Sequence, residues 1–211
     1  RNNTNLFINT STCFVYKNMD RPLIESDQLE PLNLYALTKK QSEDTCSYYS
    51  SKYGLKAITL RLFPPYGPGD NKRRLIPFLL DKLSTSSSLP MNTGEQMWDF
   101  VFVDDIVDAY HRVISSIKNI EPGEIYNVST GNPIKIKKIA ALLSDYTDSN
   151  TILEWGKNPH RENEIWHLSG SYQLLHNKLG WKPKHEIVDG LKRTIAWNNQ
   201  NLESIKSERY R

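Results

Sequence analysis

Several features are scarce in this sequence of 211 residues, and each scarcity excludes a class of protein. The two cysteines, Cys13 and Cys46, are too few for a disulfide framework and are typical of a reducing, cytoplasmic compartment. No apolar run approaches the roughly 20 residues that span a bilayer, so no membrane partner is expected. No basic block is longer than residues 72–74, so binding to a nucleic acid is not indicated. The five histidines have no metal-ligand spacing, so no metal site is expected.

Apolar segments of strand type alternate with helical segments along the chain. Residues 33–53 contain neither glycine nor proline and stop at Gly54, which indicates a helix with a glycine cap. Residues 56–63 are rich in apolar and β-branched side chains and end at two prolines, which indicates a strand. This alternation predicts an α/β fold with a mostly parallel sheet. The other predicted strands are residues 6–9, 98–103, 124–128 and 152–155, and the other predicted helices are residues 74–83, 104–114, 136–146, 170–179 and 187–195, with a frayed tail after Trp197.

One predicted helix carries two tyrosine–lysine pairs with the same spacing. Tyr35 and Lys39 are four residues apart, which places a phenol and an ammonium on one face, about 6 Å apart. A lysine cation stabilises a phenolate, so such a pair suits acid–base chemistry on a sugar or alcohol hydroxyl. Tyr48 and Lys52 repeat the spacing but are rotated by about 220° from the first pair, so both pairs cannot face one site. Spacing alone does not choose between them.

Six short motifs follow one another in order between residues 6 and 197. They are Thr10-Ser-Thr-Cys-Phe-Val-Tyr16, Tyr35-x-x-x-Lys39, Leu60-Arg-Leu-Phe-Pro-Pro-Tyr-Gly-Pro-Gly-Asp70, Trp98-Asp-Phe-Val-Phe-Val-Asp-Asp105, Glu124-Ile-Tyr-Asn-Val128 and Leu179-Gly-Trp-Lys-Pro183.

This series resembles the extended short-chain dehydrogenase/reductase family, which comprises NAD-dependent nucleotide-sugar epimerases, dehydratases and ketoreductases. The resemblance implies the C-terminal part of a Rossmann-like parallel-sheet domain plus a small α/β substrate-binding lobe. Residues 1–63 would be a partial cofactor domain with the YxxxK helix. Residues 64–211 would be mainly the nucleotide-sugar lobe, with residues 98–119 returning to the cofactor domain.

The resemblance also implies roles for individual residues. Tyr35 matches the catalytic acid/base, and Lys39 matches the residue that binds the nicotinamide ribose of NAD or NADP. Thr12 matches the hydroxyl that binds the reacting oxygen of the substrate. Asp104 and Asp105 match a further motif, for which helix capping and loop structure are the more economical interpretation. The remaining matches are Phe63 and Pro65 beside the nicotinamide, Leu75, Ile76 and Pro77 around the nucleotide base, and Arg161 at the substrate pyrophosphate.

The sequence departs from the family pattern at three places. The family's Gly-x-x-Gly-x-x-Gly turn, which holds the cofactor pyrophosphate, does not occur. Since the first residue is Arg1 and not methionine, we expect the sequence to be a piece of a longer chain with an incomplete cofactor site. Pro64 and Trp98 replace the usual asparagine and arginine, so two substrate contacts are lost or changed. Trp98 either stacks on a base or packs in the core.

The residues after Thr12 narrow the expected reaction. Dehydratases of the family carry Asp-Glu at that point, whereas this chain has Cys13 and Phe14 and so lacks the acid–base pair for elimination of water. We therefore expect a 4-epimerase or a 4-ketoreductase of a nucleotide-activated hexose for surface-polysaccharide synthesis, most like the bacterial synthases that reduce CDP-4-keto sugars. The alternative is an inactive remnant that only binds nucleotide sugars. A homodimer through the Tyr35 helix is implied by the family, but the helix that precedes it there has no counterpart.

Overall fold

The computed structural model describes residues 4–208 and divides them into two compact units. Unit 1 contains residues 4–65, 99–133 and 167–184, and unit 2 contains residues 66–98, 134–166 and 185–208. The strands are β1 (Phe7–Thr12), β2 (Ala57–Leu62), β3 (Pro65–Tyr66), β4 (Ser88–Pro90), β5 (Met97–Trp98), β6 (Val101–Phe102), β7 (Ile125–Val128), β8 (Ile134–Lys135), β9 (Ile152–Glu154) and β10 (His167–Leu168). The helices are α1 (Leu34–Tyr53), α2 (Leu75–Thr85), α3 (Val103–Ser115), α4 (Ile136–Tyr146), α5 (Gln173–Leu179) and α6 (Ile187–Glu208), with short 3-10 turns at Cys13–Val15 and Ile117–Asn119.

Unit 1 is built on a parallel sheet in which β2 lies between β1 and β7. Thr12 pairs with Leu62 across the first ladder, and Leu62 pairs with Val128 across the second. The carboxyl ends of all three strands therefore lie at one edge of the sheet. Helix α1 connects β1 to β2, as a crossover between parallel strands requires. The predicted α/β class with a parallel sheet is confirmed.

Helix α1 begins and ends where the sequence predicts. The Asn33 side chain accepts a hydrogen bond from the Ala36 amide at 2.9 Å and caps the first turn. Gly54 has a φ of 67° and donates its amide to the Ser50 carbonyl at 2.9 Å. A residue without Cβ adopts this left-handed conformation with little strain, so the glycine ends the helix.

Two elements differ most from their predicted extents. The predicted strand over residues 98–103 is divided into β5 and β6, because Asp99 turns its carboxylate into unit 1 and the Val101 amide donates to the Pro64 carbonyl at 2.9 Å. Helix α6 continues to Glu208 instead of fraying after Trp197. No glycine or proline follows Gly190, so nothing in the sequence ends this helix early.

Asp104 and Asp105 do not cap α3 as the sequence predicts; both lie in its first turn, and Phe102 is the N-cap. The Asp105 carboxylate accepts the Lys184 amide at 3.1 Å, and the Asp105 carbonyl accepts the Trp181 indole N–H at 3.1 Å. Asp105 therefore holds the Gly-Trp-Lys-Pro turn, which confirms the loop-stabilising part of the interpretation.

Unit 2 consists of short strand pairs and longer helices. Strand β4 pairs with β9 in parallel, and β5 pairs with β8 in antiparallel orientation. Helix α2 packs against α4 through buried leucines and isoleucines. None of the helices in the described range 4–208 is long and apolar enough to cross a membrane.

Candidate active site

The amino-terminal turns of α1 carry a phenol and an ammonium, and the ammonium contacts β1. Tyr35 is the second residue of the helix, and 53% of its surface is exposed. Lys39 lies one turn further, with Nζ 5.8 Å from the centre of the Tyr35 ring. The same Nζ donates a hydrogen bond to the Thr10 carbonyl at 2.9 Å. This bond fixes the lysine head group at the last residues of β1.

Thr12 is the last residue of β1 and is buried. Its Oγ1 accepts the Phe14 amide at 3.3 Å and caps the 3-10 turn at Cys13–Val15. A threonine hydroxyl has one proton to donate and two lone pairs to accept with. Because the capping bond uses an acceptor site, it leaves the hydroxyl proton of Thr12 available for donation.

The two tyrosine–lysine pairs lie at opposite ends of α1. In the first pair, Lys39 bonds to Thr10 near the carboxyl end of β1, the edge at which parallel α/β sheets bind their ligands. Tyr48 lies near the carboxyl end of the helix, shortly before the chain enters β2 at its amino end. Its hydroxyl accepts a hydrogen bond from Lys52 Nζ at 2.7 Å. Of the two pairs, only the first lies at the edge of the sheet that suits a ligand.

Phe63 follows β2 at the same edge and is fully buried. A Cβ on Gly170 would lie 2.3 Å from Phe63 Cζ, so only glycine allows this close approach. The Phe63 amide donates to the Val128 carbonyl at 3.0 Å, and the Pro64 carbonyl accepts the Val101 amide at 2.9 Å. Pro65 is only partly buried. The expected nicotinamide contact of Phe63 and Pro65 stays a prediction.

Asp99 is a buried carboxylate that the sequence analysis did not single out. It accepts hydrogen bonds from the Thr130 amide and hydroxyl, from the Gly131 amide at 2.9 Å and from the Gly170 amide at 3.3 Å. Burial raises the pKa of Asp99, and these donors oppose the rise. The carboxylate thus fixes the turn after β7. The sequence feature that marks Asp99 is an acidic residue inside the otherwise apolar run of residues 98–103.

A second polar group at this edge also escaped the sequence analysis. Ser129 directly follows β7 and is fully buried. Its Oγ has no hydrogen-bond partner among the described residues. Burial of an unsatisfied hydroxyl is unfavourable, so Ser129 offers a polar contact at the same edge as Thr12.

The expected nucleotide residues Leu75, Ile76 and Pro77 form the first turn of α2 in unit 2. Ile76 is buried, whereas Leu75 and Pro77 are half-buried. Proline is tolerated in a first turn because the amides there have no acceptor within the helix. This turn therefore combines a core side chain with two that are partly accessible.

Trp98 and Arg161, the other two expected substrate residues, also lie in unit 2. The Trp98 indole N–H donates to the Ile165 carbonyl at 2.9 Å, and the ring is half-buried. Arg161 is exposed, and its amide donates to the Glu164 carboxylate at 3.3 Å. The indole of Trp98 is therefore bonded within the protein, which fits the packing interpretation. Arg161, in contrast, lies on the surface.

The side chains of unit 1 fit one end of a nicotinamide dinucleotide. Lys39 has three N–H donors and gives one to Thr10, so two are left for ribose hydroxyls. The exposed Tyr35 phenol can donate or accept beside it. For the pyrophosphate, the sequence has no glycine-rich turn that leads into a helix. Unit 1 thus fits the nicotinamide ribose and lacks the phosphate cradle.

The family model for the NAD dependent epimerase/dehydratase family matches residues 1–129, more than half of the chain. The chain belongs to this family. Members of the family are NAD-dependent enzymes that act on nucleotide sugars. Among the residues that the structure describes, no group of three histidine, cysteine or acidic side chains is placed to hold a metal ion.

Individual relatives agree with this assignment. The chain is 29% identical to CDP-abequose synthase of Salmonella typhimurium over 197 residues, which are 90% of this chain and 62% of the relative. It is similar to dTDP-glucose 4,6-dehydratase DesIV of Streptomyces venezuelae with NAD bound, with a TM-score of 0.81, 26% identity and 92% and 60% of the two chains covered. It is also similar to RMD of Pseudomonas aeruginosa with NADPH bound, with a TM-score of 0.81, 25% identity and 92% and 67% covered. The chain spans about three fifths of the length of the curated relatives it matches.

Proposed function

We propose that this chain carries the catalytic residues of an NAD(P)-dependent oxidoreductase that acts at carbon 4 of a nucleotide-activated hexose, as a 4-epimerase or a 4-ketoreductase. The observation that carries the proposal is the grouping of Tyr35, Lys39 and the end of β1, where Lys39 is fixed to Thr10 two residues before Thr12. A phenol, an ammonium and a hydroxyl at the carboxyl edge of a parallel sheet suit the oxidation of an alcohol or the reduction of a ketone.

Each of the three residues has a separate task. Tyr35 transfers the proton on the oxygen at carbon 4, in either direction. Lys39 stabilises the phenolate form of Tyr35 by its charge and binds the ribose hydroxyls of the cofactor. Thr12 donates its hydroxyl proton to the sugar oxygen and so orients it. Phe63 and Pro65 would lie beside the nicotinamide of a bound cofactor, which would donate or accept the hydride.

Elimination of water is not part of the proposal. Cys13 is buried and Phe14 partly buried in the 3-10 turn that follows Thr12, so this turn carries no carboxylate that could act as acid or base. The apolar side chains at these positions favour redox chemistry at carbon 4 alone.

We further propose that unit 1 is the cofactor part and unit 2 the nucleotide-sugar part. In unit 2, Arg161 would bind the substrate pyrophosphate, since a guanidinium is suited to two phosphate oxygens. The first turn of α2, with Leu75, Ile76 and Pro77, would contact the base. Trp98 occupies the position of a second phosphate-binding arginine in the family, so it replaces a charge contact by an apolar one.

The test is the reaction itself, measured on the product of the complete reading frame that encodes this chain. CDP-, dTDP- and UDP-hexoses and their 4-keto derivatives are incubated with NAD(H) or NADP(H), and sugar products are identified by NMR. Consumption of NAD(P)H with a 4-keto substrate supports the ketoreductase, and interconversion of 4-epimers without net consumption supports the epimerase.

Two outcomes would contradict the proposal. Formation of a 4-keto-6-deoxy sugar from a 6-hydroxy substrate would show that elimination occurs. Binding of nucleotide sugars without turnover of any would favour the alternative, an inactive nucleotide-sugar-binding remnant.

A further inference from the structure

A buried ion pair joins α1 to the sheet two turns from Tyr35. Glu43 and Arg61 are 4% and 2% exposed, and their side chains form two hydrogen bonds, Nη2 to Oε2 at 2.7 Å and Nε to Oε1 at 3.0 Å. Glu43 also accepts a hydrogen bond from the Ser11 hydroxyl. One carboxylate of α1 thus contacts both β1 and β2.

The position of Glu43 on the helix connects this pair with the candidate catalytic residues. Tyr35, Lys39 and Glu43 are spaced by four residues and so lie along one stripe of α1. Along β1, Lys39 binds the Thr10 carbonyl, Glu43 binds the Ser11 hydroxyl, and Thr12 follows directly. Side chains of the helix therefore form hydrogen bonds with both residues that immediately precede Thr12.

Arg61 has further partners, which restrict the geometry of the pair. Its Nη1 donates to the Glu25 carbonyl at 3.0 Å, and its guanidinium carbon lies 4.7 Å from the centre of the Tyr16 ring. The Tyr16 hydroxyl donates to Asn127 Oδ1 at 2.7 Å. The Glu43 carboxylate is thereby tied to β2 and, through Tyr16, to β7.

A buried ion pair contributes little net stability compared with apolar side chains of the same size, because desolvation offsets the attraction. Its directional bonds do restrict how a helix can lie on a sheet. Because Glu43, Lys39 and Tyr35 lie on the same face of one helix, any rotation or translation of α1 at Glu43 also moves Lys39 and Tyr35. A shift of about 1 Å at reacting groups lowers rates strongly.

We propose that Glu43 is a positioning residue: with Arg61 and Ser11 it sets the orientation of α1 on β1 and so places Tyr35 and Lys39 relative to Thr12. This inference rests on the proposed function for its catalytic consequence. The position of Lys39 against Thr10, by contrast, is tested without measuring turnover.

The first measurement is acetylation of Lys39 by an amine-reactive ester, followed by mass spectrometry, with the neighbouring Lys40 as internal reference. The variants are Glu43→Leu, which leaves Arg61 unpaired, and the double variant Glu43→Leu/Arg61→Met, which replaces the pair by apolar side chains. Asp44→Asn, an exposed carboxylate on the same helix paired with Lys40, and Val113→Ala, a core truncation in α3, are the controls.

We expect the double variant to recover most of the thermal stability that Glu43→Leu loses, while Lys39 is acetylated at least threefold faster than in wild type relative to Lys40. The ratio of Lys39 to Lys40 acetylation should be unchanged in Val113→Ala. Asp44→Asn also removes the partner of Lys40, so for that variant the absolute rate of Lys39 acetylation is measured instead. In the product of the complete reading frame, the double variant should lower kcat more than tenfold and change KM less than threefold.

Wild-type labelling of Lys39 in the folded double variant would overturn the inference, since the pair would then serve stability alone. Faster labelling in Val113→Ala to the same degree would also overturn it, because any loss of stability would then release Lys39. If the wild-type enzyme has no turnover, the proposed function fails while the labelling result still decides the role of Glu43.

Discussion

The Lys39 ammonium donates to the Thr10 carbonyl at 2.9 Å, while the ammonium of the matching Lys52 donates to the hydroxyl of its own tyrosine, Tyr48, at 2.7 Å. The two pairs have the same spacing but different partners. The first is anchored to the sheet and leaves the Tyr35 phenol exposed. In the second pair, at the other end of α1, the lysine and the tyrosine bond to each other.

Replacement of Lys39 should therefore affect turnover and replacement of Lys52 should not. For Lys39→Met we expect kcat/KM to fall at least about 100-fold, because the cation beside the acid–base phenol of Tyr35 is removed, and KM for NAD(P) to rise because a ribose contact is lost. Steady-state kinetics of both variants, with circular dichroism to confirm folding, is the measurement. A larger loss in Lys52→Met than in Lys39→Met would contradict the assignment.

Asp99 should be important for stability. Asp99→Ala leaves the amides of Thr130, Gly131 and Gly170 without their buried acceptor, and we expect a loss of about 2–5 kcal/mol in the free energy of unfolding. Asp104, an exposed carboxylate in the same segment, is the control, and Asp104→Ala should change stability by less than about 0.5 kcal/mol. Urea denaturation measures both, and equal effects would show that the donors find other partners.

Glu95 should stay ionised in acid. Hydrogen bonds from Lys135 and Lys137, at 2.6 and 2.7 Å, lower the pKa of Glu95 to about 2. Because the pKa is depressed in the folded state, the stabilisation is present above the ordinary glutamate value and is lost as the pH falls toward 2. NMR titration of the carboxyl carbon measures this pKa.

The double variant Lys135→Met/Lys137→Met should return the Glu95 pKa to the ordinary range near about 4.3. Because these ion pairs are exposed, high salt should also raise the pKa by screening. An unperturbed pKa in wild type at low salt would contradict the geometry.

The 211-residue chain should bind NADH weakly. It offers Lys39 and Tyr35 to the nicotinamide ribose but has no glycine-rich turn for the pyrophosphate. We expect a Kd above about 100 μM, equivalent to less than about 5.5 kcal/mol of binding free energy. A fluorescence titration measures it, and saturation at low micromolar concentration would show that another part of the chain replaces the turn.

Local signals predicted much of the fold and pointed to part of the candidate site. The asparagine and glycine caps of α1 and the apolar run of β2 act within a few residues, so these elements could be predicted. The motif order pointed to Tyr35, Lys39 and Thr12. The partners of Asp99 could not be predicted, because they are about 30 or more residues away in sequence. The Glu43–Arg61 pair was missed for the same reason, since only folding brings the two side chains together.

The most direct test of the account compares Tyr35→Phe with Tyr48→Phe in the product of the complete reading frame. Each variant removes one phenol oxygen from α1, and only the Tyr35 pair is bonded to β1, through Lys39 and the Thr10 carbonyl. We predict that Tyr35→Phe lowers kcat by at least about 100-fold with little change in nucleotide-sugar binding, and that Tyr48→Phe stays within twofold of wild type. Equal losses in both variants, or an active Tyr35→Phe enzyme, would contradict the placement of the reaction at Tyr35.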